Sequence, residues 1–139
     1  GAKSFDVPCA VEAVRRVLDT APAVWFVFLN IERFVDHPRA IFLPGTGDLL
    51  RKTRFINSCD AMLHARLQGE SFGLACGEFS VRNKPVFTYA YSKHRHHLAV
   101  LGDAGWPYHD ADGLVHAITT LDKIAVRAGH WDRYTALYN

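Results

Sequence analysis

The chain has 139 residues, 49% hydrophobic and 22% charged, with 16 Lys+Arg against 14 Asp+Glu. That length and balance predict one domain with a real core, burying roughly 70% of the unfolded surface, and exclude a disordered tail. A formal charge of +2 gives no basic face for broad nucleic-acid binding, and the longest apolar run, Ala21 to Leu29, is far short of a membrane span.

The chain opens Gly1-Ala2-Lys3-Ser4, without a starting Met and without the basic-then-apolar pattern of a secretory signal. A fragment or processed form in a cytoplasmic setting is expected. Cys9, Cys59 and Cys76 are an odd set with no C-x-x-C spacing, which argues against a disulfide framework or a structural zinc site. Each reads as a small buried hydrophobe.

Asp6-Val7-Pro8 reads as a helix start, with Asp6 as cap and Pro8 in the first turn. Ala10, Val11, Val14, Val17 and Leu18 continue at helical spacing. Val24 to Leu29 and Ala40 to Leu43 are short continuous apolar runs, as in strands covered on both faces. Gly47-Asp48 opens a helix with Leu49, Leu50, Thr53 and Ile56 on one side; His37-Pro38-Arg39 before it is a loop. A third strand is expected at Ala61 to Ala65, a loop at Gly69 to Ser71, and a helix from about Phe72 to Val81. Pro85 to Tyr89 is a fourth strand, His94 to Leu101 a short helix, and Trp106 to Tyr108 a last brief strand. Asp110 begins a long helical stretch through Ala128, and a final piece ends at Tyr138. Buried strands alternating with helices predict an α/β class with a doubly wound parallel sheet.

The segment with most chemistry runs from Cys59 to Val86: strand, glycine-containing loop, helix, strand. Ligands in open α/β sheets sit at the carboxyl ends of the strands, where Leu67 to Ser71 is expected. The following helix points its free N–H groups and positive dipole end into the same space, which suits a phosphate. Gly69 and Gly73 permit close backbone approach, although glycine at a strand–helix turn is also common for structural reasons alone. Glu70 stands at the mouth of this site, and Glu78 lies about two turns into the helix. A carboxylate at Glu78 suits the adjacent hydroxyls of a ribose. The plainer alternative makes Glu70 a helix-dipole carboxylate and Glu78 a solvated helix residue.

The run G-E-S-F-G-L-A-C-G-E-F-S-V-R-N-K-P-V resembles the E-x(7)-E segment of retaining GT-B glycosyltransferases of the glycogen-synthase-like type. Cys59 to His64, Lys84-Pro85-Val86 and Ile41 to Gly45 resemble the flanking elements of that family. The resemblance covers nearly the whole chain and implies the Rossmann-like C-terminal half of a GT-B fold. Residues 1–139 then form a nucleotide-sugar-binding domain of a larger enzyme. It implies that Glu78 holds the ribose of the donor. Glu70 is the catalytic-site carboxylate near the reacting centre. Ser71 and the backbone of Phe72, Gly73 and Leu74 form the turn over diphosphate and sugar, and Lys3 neutralises the diphosphate.

The sequence departs from the family at Ser71, where Gly is usual, and at Asn83-Lys84, where Gly-x precedes the Pro. The family's first strand, just upstream of Lys3, is missing, as is its N-terminal acceptor domain. The implied function is transfer of a glycosyl group from a nucleotide-diphosphate sugar to an acceptor hydroxyl, with retention and without a metal or other cofactor. The partners are the donor and, through the missing domain, a sugar or glycan acceptor; membrane association of the full-length enzyme stays open. Alternatives are a stand-alone nucleotide-sugar-binding module and a GT-B nucleotide-sugar epimerase. The isolated chain is expected to be inactive without its acceptor half.

Other features carry less. His94 and His97 would share a helix face at i, i+3, but no nearby Asp, Glu or Cys completes a metal site. A polar lining or capping role fits that segment better, and Lys93 and Arg95 read as a solvated face within reach of a phosphate. His64, on a buried strand, reads as a satisfied core histidine before a catalytic base. Trp25, Trp106 and Trp131 read as core or edge packing.

Overall fold

A computed structural model describes residues 5–138. Lys3 lies outside the described residues. The elements run α1 (Pro8–Thr20), β1 (Phe26–Leu29), β2 (Ala40–Leu43), α2 (Leu49–Asn57), β3 (Met62–His64), β4 (Gly69–Glu70) and α3 (Leu74–Ser80). They continue with β5 (Val86–Tyr89), β6 (His94–Arg95), α4 (His96–Leu101), β7 (Gly105–Tyr108), α5 (Ala111–Thr119), α6 (Lys123–Ala128) and α7 (Thr135–Tyr138). The class is α/β, and every described strand pair is parallel.

The strands fall into a pair, β1–β2, a triplet in the order β3–β5–β7, and the two-residue pair β4–β6. In the triplet Met62 faces Val86, Leu63 faces Phe87 and His64 faces Thr88. Alternation along the strands sends these residues to opposite faces. Phe87 joins Val7, Ala10, Ala13, Tyr108 and Leu114 in one core. Val86 joins Cys76, Leu101 and Tyr134 in another, with Met62 packed against it. Helices therefore cover both faces of the triplet, as its apolar strands require.

Helix α1 joins the two larger sheets. Ala10 and Ala13 pack in the core of the triplet. Val14, Val17 and Leu18 pack with Phe26, Phe28 and Ala40 of the pair. Phe5 touches both cores, stacking on Phe34 at 5.0 Å and meeting Phe28 edge-on at 5.4 Å. The Asp6 N–H donates to the Ala65 carbonyl at 3.1 Å. Residues 5–6 thus sit where the two sheets meet, and no described strand bridges them.

Several local expectations are corrected. Val7, not Asp6, is the cap residue of α1, and no side chain caps that helix. The Asp6 carboxylate instead accepts from the Leu67 N–H at 2.8 Å, pinning the loop after β3. Asp48 does cap α2, but Leu49 and Leu50 stay exposed and Ile56 alone is buried. The stretch expected as one helix from Asp110 to Ala128 breaks at Thr120. There Asp122 starts α6 by accepting from the Ile124 and Ala125 N–H groups. Trp25 is exposed, whereas Trp106 and Trp131 pack edge to face at 5.1 Å.

Candidate functional site

The site is built on the carboxyl end of β3. His64 closes that strand, and Gly69–Glu70 then pair with His94–Arg95 as β4 and β6. The expected loop at Gly69 to Ser71 is therefore partly strand. Gly69 has φ +75°, and a Cβ there would lie 1.9 Å from the His94 carbonyl oxygen, so only glycine lets the two segments pair. Gly73, at φ +82°, turns the chain into α3, which begins at Leu74 rather than Phe72. A Cβ on Gly73 would lie 2.7 Å from the Tyr134 hydroxyl and 2.9 Å from His97 Cβ.

Glu70 stands on β4, three residues before Gly73, with its side chain 16% exposed. Its Oε1 accepts from Arg66 Nη1 at 2.7 Å and meets His64 Nε2 at 3.1 Å. The hydrogen bond to His64, opposed by burial and aided by Arg66, holds the Glu70 carboxyl down to about 2. Glu70 is therefore a fixed, ionised acceptor. Behind it, His64 Nδ1 meets Thr88 Oγ1 at 3.1 Å, and the same hydroxyl meets His97 Nε2 at 2.8 Å. His97 is fully buried, and its Nδ1 has no hydrogen-bond partner. Burial, then the neighbouring His64, pushes the His97 imidazole down to about 4, with Glu70 partly opposing.

Glu78 faces away from this line. It pairs with Lys52 of α2, Nζ to Oε2 at 3.4 Å, and remains 39% exposed. Ser71, Phe72 and Leu74 are exposed on the turn between the two glutamates. No side chain caps α3, so its leading N–H groups have no side-chain acceptor. The Phe72 carbonyl accepts from the Tyr134 hydroxyl at 3.1 Å, which ties the turn to the C-terminal segment. That segment lies along the small-residue face of α3. A Cβ on Gly77 would meet the Tyr134 ring at 2.8 Å, and Ser80 Oγ accepts from the Arg133 N–H at 2.9 Å.

His94 and His97 do not share a helix face. His94 is exposed on β6, and His97 points inward from α4. The described residues hold no group of three or more His, Cys, Asp or Glu able to bind a metal ion. Lys93 and Arg95 are exposed beside β4, as a solvated face would be. No described helix is long and apolar enough to cross a membrane.

No protein-family model, curated protein or solved structure matches this chain.

The sequence reading missed Thr88 and Arg66, and it read His97 only within a polar lining segment. Thr88 is the only aliphatic hydroxyl in the strand Val86–Tyr89, and its register opposite His64 is the signal that points to it. His97 was hidden in a run of exposed basic residues, and Arg66 in a loop. Lys52, the partner of Glu78, gave no signal, because only the packing of α2 against α3 brings it there. Chemically, the assembled site offers an ionised carboxylate, an uncapped helix start and a second carboxylate paired with a lysine.

Proposed function

We propose that this chain is a nucleotide-sugar-binding domain supporting glycosyl transfer, of the GT-B type that its E-x(7)-E segment resembles. One observation carries the reading: Glu70 and Glu78 stand on either side of the glycine turn at the start of α3, at the carboxyl end of a parallel strand. In this reading Glu78, exchanging Lys52 for ligand, accepts from the ribose hydroxyls. The turn from Ser71 to Leu74 carries the diphosphate, with Lys3 adding positive charge. Glu70 meets the sugar.

The chemistry follows from charge. As the anomeric C–O bond loosens, positive charge grows on the sugar and negative charge on the departing diphosphate. N–H groups aimed at the diphosphate stabilise that change in place. An ionised Glu70 stabilises the oxocarbenium-like sugar or orients its hydroxyls. The acceptor and the group that deprotonates it belong, in this reading, to a second α/β half, since holding both substrates in one cleft supplies much of the rate.

The experiment is a thermal-shift panel of common nucleotide sugars and nucleoside diphosphates, followed by calorimetry on Glu70→Ala. A ligand at 100-fold its Kd adds about 2.7 kcal/mol of stability. Glu70→Ala should leave nucleoside-diphosphate binding nearly intact and weaken nucleotide-sugar binding. Absence of any stabilisation by these ligands would overturn the reading. Equal loss for both ligands would remove Glu70 from the sugar site.

A further inference from the structure

A line of buried polar groups runs beneath the turn that carries Glu70. His64 is 3% exposed, and Thr88 and His97 are fully buried. Buried polar atoms are nearly always paired, and a hydroxyl has one proton to give. The proton positions in this line can therefore be worked out one bond at a time.

An ionised carboxylate only accepts. The 3.1 Å contact with Glu70 Oε1 thus puts a proton on His64 Nε2. With this single proton on the ring, His64 Nδ1 is bare and accepts from the Thr88 hydroxyl at 3.1 Å. That hydroxyl has one proton and has used it. Its 2.8 Å contact with His97 Nε2 therefore requires the proton on the imidazole. His97 Nδ1 is left bare, and it is one of two buried side-chain nitrogens among the described residues that make no hydrogen bond, Arg66 Nε being the other. The reverse order would need a second proton on His64 and would move the His97 proton to Nδ1, on the side of the Glu70 backbone. An added charge in this buried line is the costly part of that order.

We propose that His64 is a positioning residue for Glu70, with its proton fixed from behind by Thr88 and His97. His64 and Arg66 both engage Oε1. Oε2 takes neither bond and is the oxygen presented to a hydroxyl of the donor sugar. What Oε2 meets rests on the donor-binding reading above; how Oε1 is held does not. His97 also packs behind Gly73, so the line supports the turn as well as the carboxylate.

The test begins on the unaltered 139-residue chain, with nitrogen-15 NMR of its histidine rings. Protons on Nε2 of both His64 and His97 are expected, and a proton on His64 Nδ1 instead would overturn the proposal. Carbon-13 NMR then follows the Glu70 carboxyl in two variants. In His64→Leu its titration should rise toward the ordinary carboxylate range. His64→Gln keeps an N–H near the place of Nε2 and should hold the titration low. Nucleotide-sugar affinity should fall on the order of tenfold in His64→Leu, with nucleoside-diphosphate affinity unchanged and with recovery in His64→Gln. A Glu70 titration that is the same in all three proteins would overturn the positioning role. If no nucleotide sugar binds the unaltered chain, the donor-binding reading fails, while the proton positions and the Glu70 titration still decide how the carboxylate is held.

Discussion

Lys52 Nζ and Glu78 Oε2 face each other at 3.4 Å, joining the first turn of α2 to the middle of α3. Both side chains are partly exposed, so the pair itself adds little stability, on the order of 0–1 kcal/mol. Its importance lies in where it leaves Glu78: oriented and next to a lysine.

Glu78→Gln should lower nucleoside-diphosphate affinity by roughly 1.5–3 kcal/mol, the loss of a charged acceptor for two hydroxyls. Its melting temperature should scarcely change. Calorimetric titration with a nucleoside diphosphate checks this, and unchanged affinity removes Glu78 from the ribose site.

Gly73→Ala should destabilise the fold by about 2–3 kcal/mol. It forces an L side chain into the left-handed region and drives a methyl against Tyr134 and His97. Gly102→Ala is the control, since Gly102 also has positive φ but no atom within 4 Å of the new Cβ. It should cost roughly 1–2 kcal/mol, from strain alone. Urea unfolding of the two variants separates strain from collision, and equal losses would remove the collision.

Acid should unfold the chain in two stages. His97 is lowered to about 4 from 6.5, so the unfolded state binds the proton first. Its contribution is complete above pH 6.5 and disappears as pH falls to 4, a loss on the order of 2–3 kcal/mol. Glu70 is lowered to about 2 from 4.5, so its contribution is present above pH 4.5 and is lost as pH falls toward 2. Stability measured by urea unfolding from pH 7 to 3 should drop in both windows. His97→Gln should flatten the upper window and leave the lower one.

Arg39→Met should cost roughly 2–4 kcal/mol, because the guanidinium donates to the carbonyls of Leu18, Ala21 and Val24, where α1 ends and β1 begins. Arg39→Lys should recover only part, since an ammonium cannot reproduce the planar fork. Comparison of urea midpoints checks both, and a loss under 0.5 kcal/mol in the Met variant would show that water replaces the three bonds.

Five of the seven described strands and most helix positions were legible because each is a short apolar run with its own punctuation, whereas the polar pair Gly69–Glu70 and His94–Arg95, expected as loop and helix, was not. Asp48 before Leu49, Pro8 at the head of α1 and the glycines around Glu70 are local signals, and local structure obeys them. The exposure of Leu49 and Leu50 was not legible. Periodicity gives a face, and only the length of the neighbouring core says whether anything covers it. Asp6 shows the same limit: its position suits a cap, yet a loop some sixty residues later takes its carboxylate. In the candidate site the two glutamates were readable from spacing. Lys52, which pairs with Glu78, and Thr88 and His97, which stand behind the Glu70 partner His64, come from three other elements and are assembled by packing alone.

The tie between the Tyr134 hydroxyl and the Phe72 carbonyl spans 62 positions of sequence. During synthesis, at roughly 5–20 residues per second, the turn is made several seconds before its anchor exists. Through that interval the glycine face of α3 has no ring against it. The turn between the two glutamates therefore takes its final shape only after Tyr134 has been made.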